Sequence, residues 1–370
     1  MSTPSISFLK SKLQKVPLLA RYLAAFVVLL AVAGGLWVSA RAFAIHQNWL
    51  HIGSSVNAFN GNDFATALAQ ADAVLAKDPK NVDALLVKAT ILAQEGSLTF
   101  TENTYAPQAI ALAQQALAID PTRPDAWRII GYAYEIMQQY PEAHDAYAKS
   151  LALDPYNAMT ISQNAHAFDL QGDSVQAEAG YRKALTLSPT LDQANMGMGR
   201  VLIAQRKPQE ALNYFTNAYR YSQNTRLRAE ASYSAGIANA MLNNNDAIEP
   251  LMAQATTIDP NYPLGWVGLG TILFDQSIST STNLSGAQRN ALAGRSFDDL
   301  HTAFALYPNQ SAAIEQAGLE LLVFGKKQQG IQMLQEALKS IPLDITLTAT
   351  EKATSLLRVK ALIAAAQAHK

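Results

Sequence analysis

The sequence predicts an all-α protein: a solenoid of about eight helical hairpins, preceded by one N-terminal membrane-spanning helix. Three observations predict it. Asp-Pro dipeptides and their relatives recur with a 34-residue period, apolar stripes at helical spacing fill each period, and one uncharged run of nineteen residues lies near the N-terminus. Composition agrees with a packed helical chain. Of 370 residues, 49% are hydrophobic and only 15% charged, against roughly 25% charged in an average soluble domain. The net charge of −1 argues against a nucleic-acid binder, which would carry a basic stripe. The absence of cysteine excludes disulfides, thiolate zinc sites, iron–sulfur clusters and Cys nucleophiles.

The N-terminal element comes first. Lys10, Lys12, Lys15 and Arg21 form a basic, acid-free tail over residues 1–21. Residues 22–40, YLAAFVVLLAVAGGLWVSA, carry no charge. At 1.5 Å per residue this run spans about 28 Å, close to one hydrocarbon core. Tyr22 and Trp37 sit near its two ends, where amphipathic rings favour the membrane interface. The basic tail precedes the run, so the positive-inside rule places the N-terminus in the cytoplasm and the rest of the chain beyond an inner (cytoplasmic) membrane. A cleaved signal peptide is the rival reading, with Ala42-Phe43-Ala44 as its processing site. The apolar run is longer than a usual signal core, which favours the retained anchor. Ala31 and Gly35 form a small-xxx-small pair that would let two such helices pack, a route to a homo-oligomer.

The repeats follow. Pro121, Pro155 and Pro189 are 34 residues apart, as are Pro308 and Pro342. Within the period the same slots recur. One unit carries Trp127, Ile130, Gly131 and Tyr134, then Ala143, Tyr147, Ser150 and Pro155. The next has Ile161, Ala165 and Phe168, then Ala177, Tyr181, Ala184 and Pro189. The following one has Met198, Gly199, Leu202, Ala211, Phe215 and Ala218. Residues three and four apart share a helical face, so each unit holds two amphipathic helices. The small residues at Gly131, Ala165, Gly199, Gly236, Gly270 and Gly318 let paired helices approach, and Tyr147, Tyr181 and Phe215 fill the space beyond. Each Pro stops a helix and forces an extended residue before it. This pattern resembles the tetratricopeptide repeat, W-x2-L-G-x2-Y, A-x3-F and P over 34 residues. The match covers residues 46–344 and implies stacked helical hairpins, since one hairpin cannot bury its own apolar face.

The units differ in quality. The first, near Asn48 to Asn81, is degenerate. The second holds an eight-residue insertion within EGSLTFTENTYAP, and the seventh a longer one within DQSISTSTNLSGAQRN. Both are polar and read as surface connections between the two helices of a unit. The fifth unit has Gln223 where Pro is usual, which makes its junction with the sixth a candidate hinge. Residues 345–370 read as an Ala-rich helix that closes the exposed end of the array.

Catalytic signatures are missing. The sequence has no nucleophile elbow, P-loop, dinucleotide fingerprint, H-E-x-x-H or EF-hand loop. The six His residues are scattered without ligand spacing, so no metal and no cofactor are expected. Acidic residues fall in Asp-Pro turns and at helix starts, where they cap. Anchor, array and cap leave no room for a catalytic domain, so no enzyme is expected.

Binding remains. The resemblance implies a concave groove lined by the first helix of each unit, holding an extended peptide or a partner helix. The groove-facing candidates are Arg128, Tyr132 and Glu135, then Ser162, His166 and Asp169, then Met196, Arg200 and Ile203. Each triplet is spaced three and four apart, away from the core stripe. Tyr, Met and Arg are enriched at interfaces. The sequence therefore predicts a membrane-anchored scaffold or adaptor that binds proteins during assembly of an envelope, secretion or export complex. The alternatives are a soluble exported binding protein released after cleavage and a non-catalytic accessory subunit of an enzyme complex.

Overall fold

The computed structural model describes residues 18–61, 63–98, 102–279, 283–307, 311–323, 325–344 and 347–368. The side chains of 18–29, 31, 32, 97, 98, 102, 103 and 349 lie outside that description. The chain divides into two compact units, residues 1–54 and 55–370.

The first helix, α1 (Leu18–Asn60), carries the correction to the predicted fold. Among the described residues no helix is long and apolar enough to cross a membrane. The predicted span at 22–40 is therefore not supported, and the inner-membrane location and exported array lose their basis with it. The helix is 43 residues long and runs 20 residues beyond the apolar run to Asn60, and ten of the nineteen side chains of 22–40 lie outside the described residues. Its described part includes Gly34, Gly35, Ser39, Arg41, His46, Gln47 and Asn48, and polar groups in hydrocarbon are costly. Ala31 of the proposed packing pair and the whole basic tail lie outside the described side chains.

The array is all helical among the described residues. Paired helices alternate along the chain: α2 (Phe64–Leu75), α3 (Val82–Leu98), α4 (Glu102–Ile119), α5 (Pro124–Ile136), α6 (Tyr140–Leu153), α7 (Ala158–Leu170) and α8 (Ser174–Leu187). They continue as α9 (Asp192–Ala204), α10 (Pro208–Tyr221), α11 (Thr225–Met241), α12 (Asn245–Ile258), α13 (Pro263–Ile278), α14 (Gly286–Leu306), α15 (Ser311–Val323) and α16 (Lys327–Ser340), with α17 (Ala349–Ala368) last. Consecutive helices pack as antiparallel hairpins, and each hairpin packs on the next.

Local chemistry sets the ends. Pro124, Pro208 and Pro263 open their helices at the first position, where the missing N–H costs nothing. Asn157, Asp173 and Asn224 cap theirs by accepting from Thr160, Gln176 and Leu227 N–H at 3.0–3.1 Å. In the Asp-Pro turns the carboxylates hold the turn itself. Asp120 accepts from Thr122 N at 3.0 Å, and Asp259 from Asn261 N at 3.0 Å. The turns inside successive hairpins reverse through Gln138, Gly172 and Arg206, at φ of 60°, 83° and 59°. These three are also 34 residues apart.

Both insertions are largely drawn into helix rather than looped out. They lengthen α3 and α4 to 17 and 18 residues and α13 and α14 to 16 and 21. The regular hairpins have helices of 13 and 14. Arg289 on α14 donates to the carbonyls of Ser277 and Ser279, and Ser285 and Gln288 form a capping box. These contacts tie the second insertion down. Residues 99–101 and 280–282 of the insertions lie outside the described residues.

The core of each hairpin is rich in Ala, with a large side chain from its second helix fully buried. Tyr147, Tyr181, Phe215, Met252, Leu300 and Leu334 are each at most 2% exposed. At the C-terminal end α17 packs on the last hairpin. Val359 joins Ile314, Leu334, Ala337 and Ile341 in one cluster, and Arg358 pairs with Glu315.

Candidate functional site

The first helices of the regular hairpins, α5, α7 and α9, present equivalent positions to one side. Arg128, Ser162 and Met196 form one row at 34-residue steps, and Tyr132, His166 and Arg200 a second. With Glu135 they all line a single cavity of about 690 Å³. The predicted candidates Asp169 and Ile203 are not among its lining residues.

Inside the cavity polar groups answer one another. Glu135 is buried, accepting from Tyr147 Oη at 2.8 Å and from His166 Nδ1 at 2.7 Å. A carboxylate accepts only, so the His166 Nδ1 carries a proton. Burial, and then the Glu135 charge, hold the Tyr147 phenol well above its ordinary pKa. Tyr132 Oη donates to Gln94 Oε1 at 3.1 Å, and Arg128 Nη1 to Gln163 Oε1 at 3.2 Å. Burial lowers the pKa of Arg128, with Tyr147 and Asp125 acting against it.

Arg200 meets Asp169 at 3.5 Å, so Asp169 serves the site from behind. Burial works against the Arg200 charge, but Tyr181, Asp169 and Glu230 outweigh it and leave the pKa raised. Glu135, Ser162 and Met196 are nearly closed off from solvent, at 2%, 1% and 4% exposure. Arg128, Tyr132, His166 and Arg200 are half-buried.

Several lining residues were missed by sequence reasoning. Asn60, Gln94 and Glu230 extend the Arg128 row in both directions at the same 34-residue step, and all three line the cavity. The period was the signal that would have found them. Applied only to the regular units, it missed the first, second and sixth. Tyr181 had no such signal. It occupies the core aromatic slot of its unit, yet it also lines the cavity. Arg226 and Asp259 form a buried pair at 2.5 Å, and Arg226 donates to Asn261 O at 2.7 Å. They fasten the start of α11, just after the junction that lacks its Pro, to the Asp259-Pro260 turn after α12. Among the described residues no group of three or more His, Asp or Glu is placed to hold a metal ion.

The comparisons with known proteins agree with this architecture. Tetratricopeptide-repeat family models match residues 124–157, and also 56–99 and 196–263. The chain therefore contains tetratricopeptide repeats, and such repeats generally mediate protein–protein interactions. No curated protein matches the sequence. Among solved structures, the Cut9–Hcn1 hetero-tetramer of the APC/C is similar at 18% identity and a TM-score of 0.58, over 80% of this chain and 52% of that one. The present chain thus spans about half the length of that relative. A tetratricopeptide repeat protein from Parabacteroides merdae aligns at 14% identity and a TM-score of 0.49, over 74% of this chain and 99% of that one. The yeast Tom70 aligns at 16% and 0.48, over 83% and 59%.

Proposed function

We propose that this protein is a non-catalytic scaffold that holds a protein partner in the groove of its repeat array. One observation carries the reading. Repeat-equivalent positions of successive first helices converge on one cavity of about 690 Å³ lined by Arg, Tyr, His, Met and amide side chains. A groove assembled from the same slot of many units suits a ligand that is itself extended, because each unit adds one more contact along its length. Arg128, Tyr132, His166 and Arg200 are the proposed contacts, with Glu135, Ser162, Asp169 and Met196 supporting them from within the wall. Ile203, outside the cavity lining, is left as a flanking position.

Photocrosslinking in cells tests this. A photoreactive side chain is placed at Tyr132, His166 or Arg200, with exposed Lys183 on α8 as an outside control. The expected result is one discrete protein captured from the three groove positions and not from Lys183. Equal, diffuse labelling from all four positions would overturn the proposal.

A further inference from the structure

The longest row of the groove is not uniform. Asn60, Gln94, Arg128, Ser162, Met196 and Glu230 occupy one slot in six successive units, and all six line the cavity. Its two charged members lie three units apart and have opposite sign. Arg128 donates to the neutral amide of Gln163 and has no carboxylate within ion-pair distance among the described residues. Glu230 is half-buried and makes no hydrogen bond or ion pair among the described residues. Arg226 and Arg200 attract it, but each already has a counter-ion, Asp259 and Asp169.

Tyr181, on the intervening hairpins, is 1% exposed, its ring lies over Gly197, and its hydroxyl is buried beside Arg200. Buried charges without partners are costly. A ligand that supplies both counter-charges removes that cost on binding. A uniformly acidic ligand would meet Glu230, and a uniformly basic one would meet Arg128, so like charge excludes both.

We propose that the groove takes an extended peptide of bipolar charge. An acidic side chain lies against Arg128 and a basic side chain against Glu230. This assignment rests on the groove reading above and names the chemistry of its occupant.

The test uses the full chain and fluorescence anisotropy with labelled synthetic peptides of about twelve residues, blocked at both ends. Each carries one Glu and one Lys, with their separation and order varied. Glu-only, Lys-only and neutral peptides complete the set. The expected result is one order and separation that binds about tenfold tighter than any singly charged peptide. Arg128→Glu and Glu230→Lys each abolish that preference, and Arg128→Glu shifts it to a peptide with Lys at both positions. Thermal melts confirm that each variant is folded. Bipolar peptides that bind no better than neutral ones, or charge reversals that leave the preference unchanged, overturn the proposal. Capture of a partner from Tyr132 and His166 in cells alongside that negative result overturns only the charge assignment. No capture in the groove overturns the groove reading itself.

Discussion

The ring of Tyr181 occupies the space that a side chain on Gly197 would need. A Cβ on Gly197 would lie 2.6 Å from Tyr181 Oη and closer still to the ring. Neighbouring hairpins make the equivalent contact one slot away: Tyr147 lies over Gly131 and Phe215 over Gly199. Tyr181 differs because its own hairpin has Ala165 at the small slot, packed against Gly180. The ring therefore crosses to the next unit, and Tyr181 joins the lining of the cavity.

Gly197→Ala is expected to destabilise the array by about 1–3 kcal/mol, the usual cost of overpacking a close-packed core. Gly294 on α14 has nothing within 4 Å of its would-be Cβ. Gly294→Ala is expected to stabilise by about 0.5–1 kcal/mol through helix propensity alone. Urea unfolding of the two variants beside the parent checks both signs.

The hairpin turns offer a second test. Arg206 holds φ at 59° and Gln138 at 60°, where Gly172 stands in the unit between them. A side chain in the left-handed region costs about 1–2 kcal/mol. Arg206→Gly and Gln138→Gly are expected to be neutral to stabilising, whereas Gly172→Val, a β-branched residue at φ of 83°, destabilises by more than 1 kcal/mol, on the order of that same cost. Thermal melts of the three single variants give the comparison.

At the Pro-less junction the Arg226–Asp259 pair is buried, with side chains 9% and 5% exposed. Removing one member strands the other charge, at a cost of about 3–5 kcal/mol. Asp259→Ala is expected to unfold the C-terminal half of the array first. Hydrogen exchange read along the chain would show protection lost in α11 to α13 before α5 to α8. Uniform loss along the whole array would count against this.

The hydroxyl of Ser296 lies 2.7 Å from Gly270 O and 2.6 Å from Glu320 Oε1. One hydroxyl proton serves one acceptor, so the second contact is satisfied when Glu320 is protonated. Burial, opposed by the Ser296 hydrogen bond and aided by the Asp275 charge, pushes Glu320 up to about 7. The folded state then binds the proton more tightly than the unfolded one. Its stabilisation is present in full below the ordinary carboxylate range and is lost as pH rises from there through about 7. Asp299, pushed up to about 6 by burial, acts in the same direction. Glu320→Gln is expected to flatten the pH dependence of stability between pH 5 and 8 relative to the parent, by about 1–3 kcal/mol across that range. Identical slopes in the two proteins would reject the assignment.

Much of the array was legible in the sequence because its packing rules are local. Trp127, Ile130 and Tyr134 mark one helix face, Pro155 ends the unit, and the 34-residue step repeats the arrangement. The groove candidates Arg128, Tyr132, His166, Met196 and Arg200 came from the same periodicity, and the structure brings them to one cavity. One reading fails: among the described residues no helix is long and apolar enough to cross a membrane, so the run at 22–40 is not supported as a span. The polar insertions do lie between the two helices of their units, but mostly by lengthening them. α1 runs on to Asn60, and α13 and α14 absorb most of their insertion.

The sequence by itself determined the repeat unit, its helices and the identity of its core slots, because these depend on residues within a turn or two of each other. Tertiary structure decided which polar side chains are already satisfied and which are not. Glu135 is spent on Tyr147 and His166, and Arg226 on Asp259, across 12 to 33 residues of chain. Tyr181 crosses to Gly197, while Arg128 and Glu230 are left without direct counter-ions. Such pairing depends on distances between units, and stacking sets those distances.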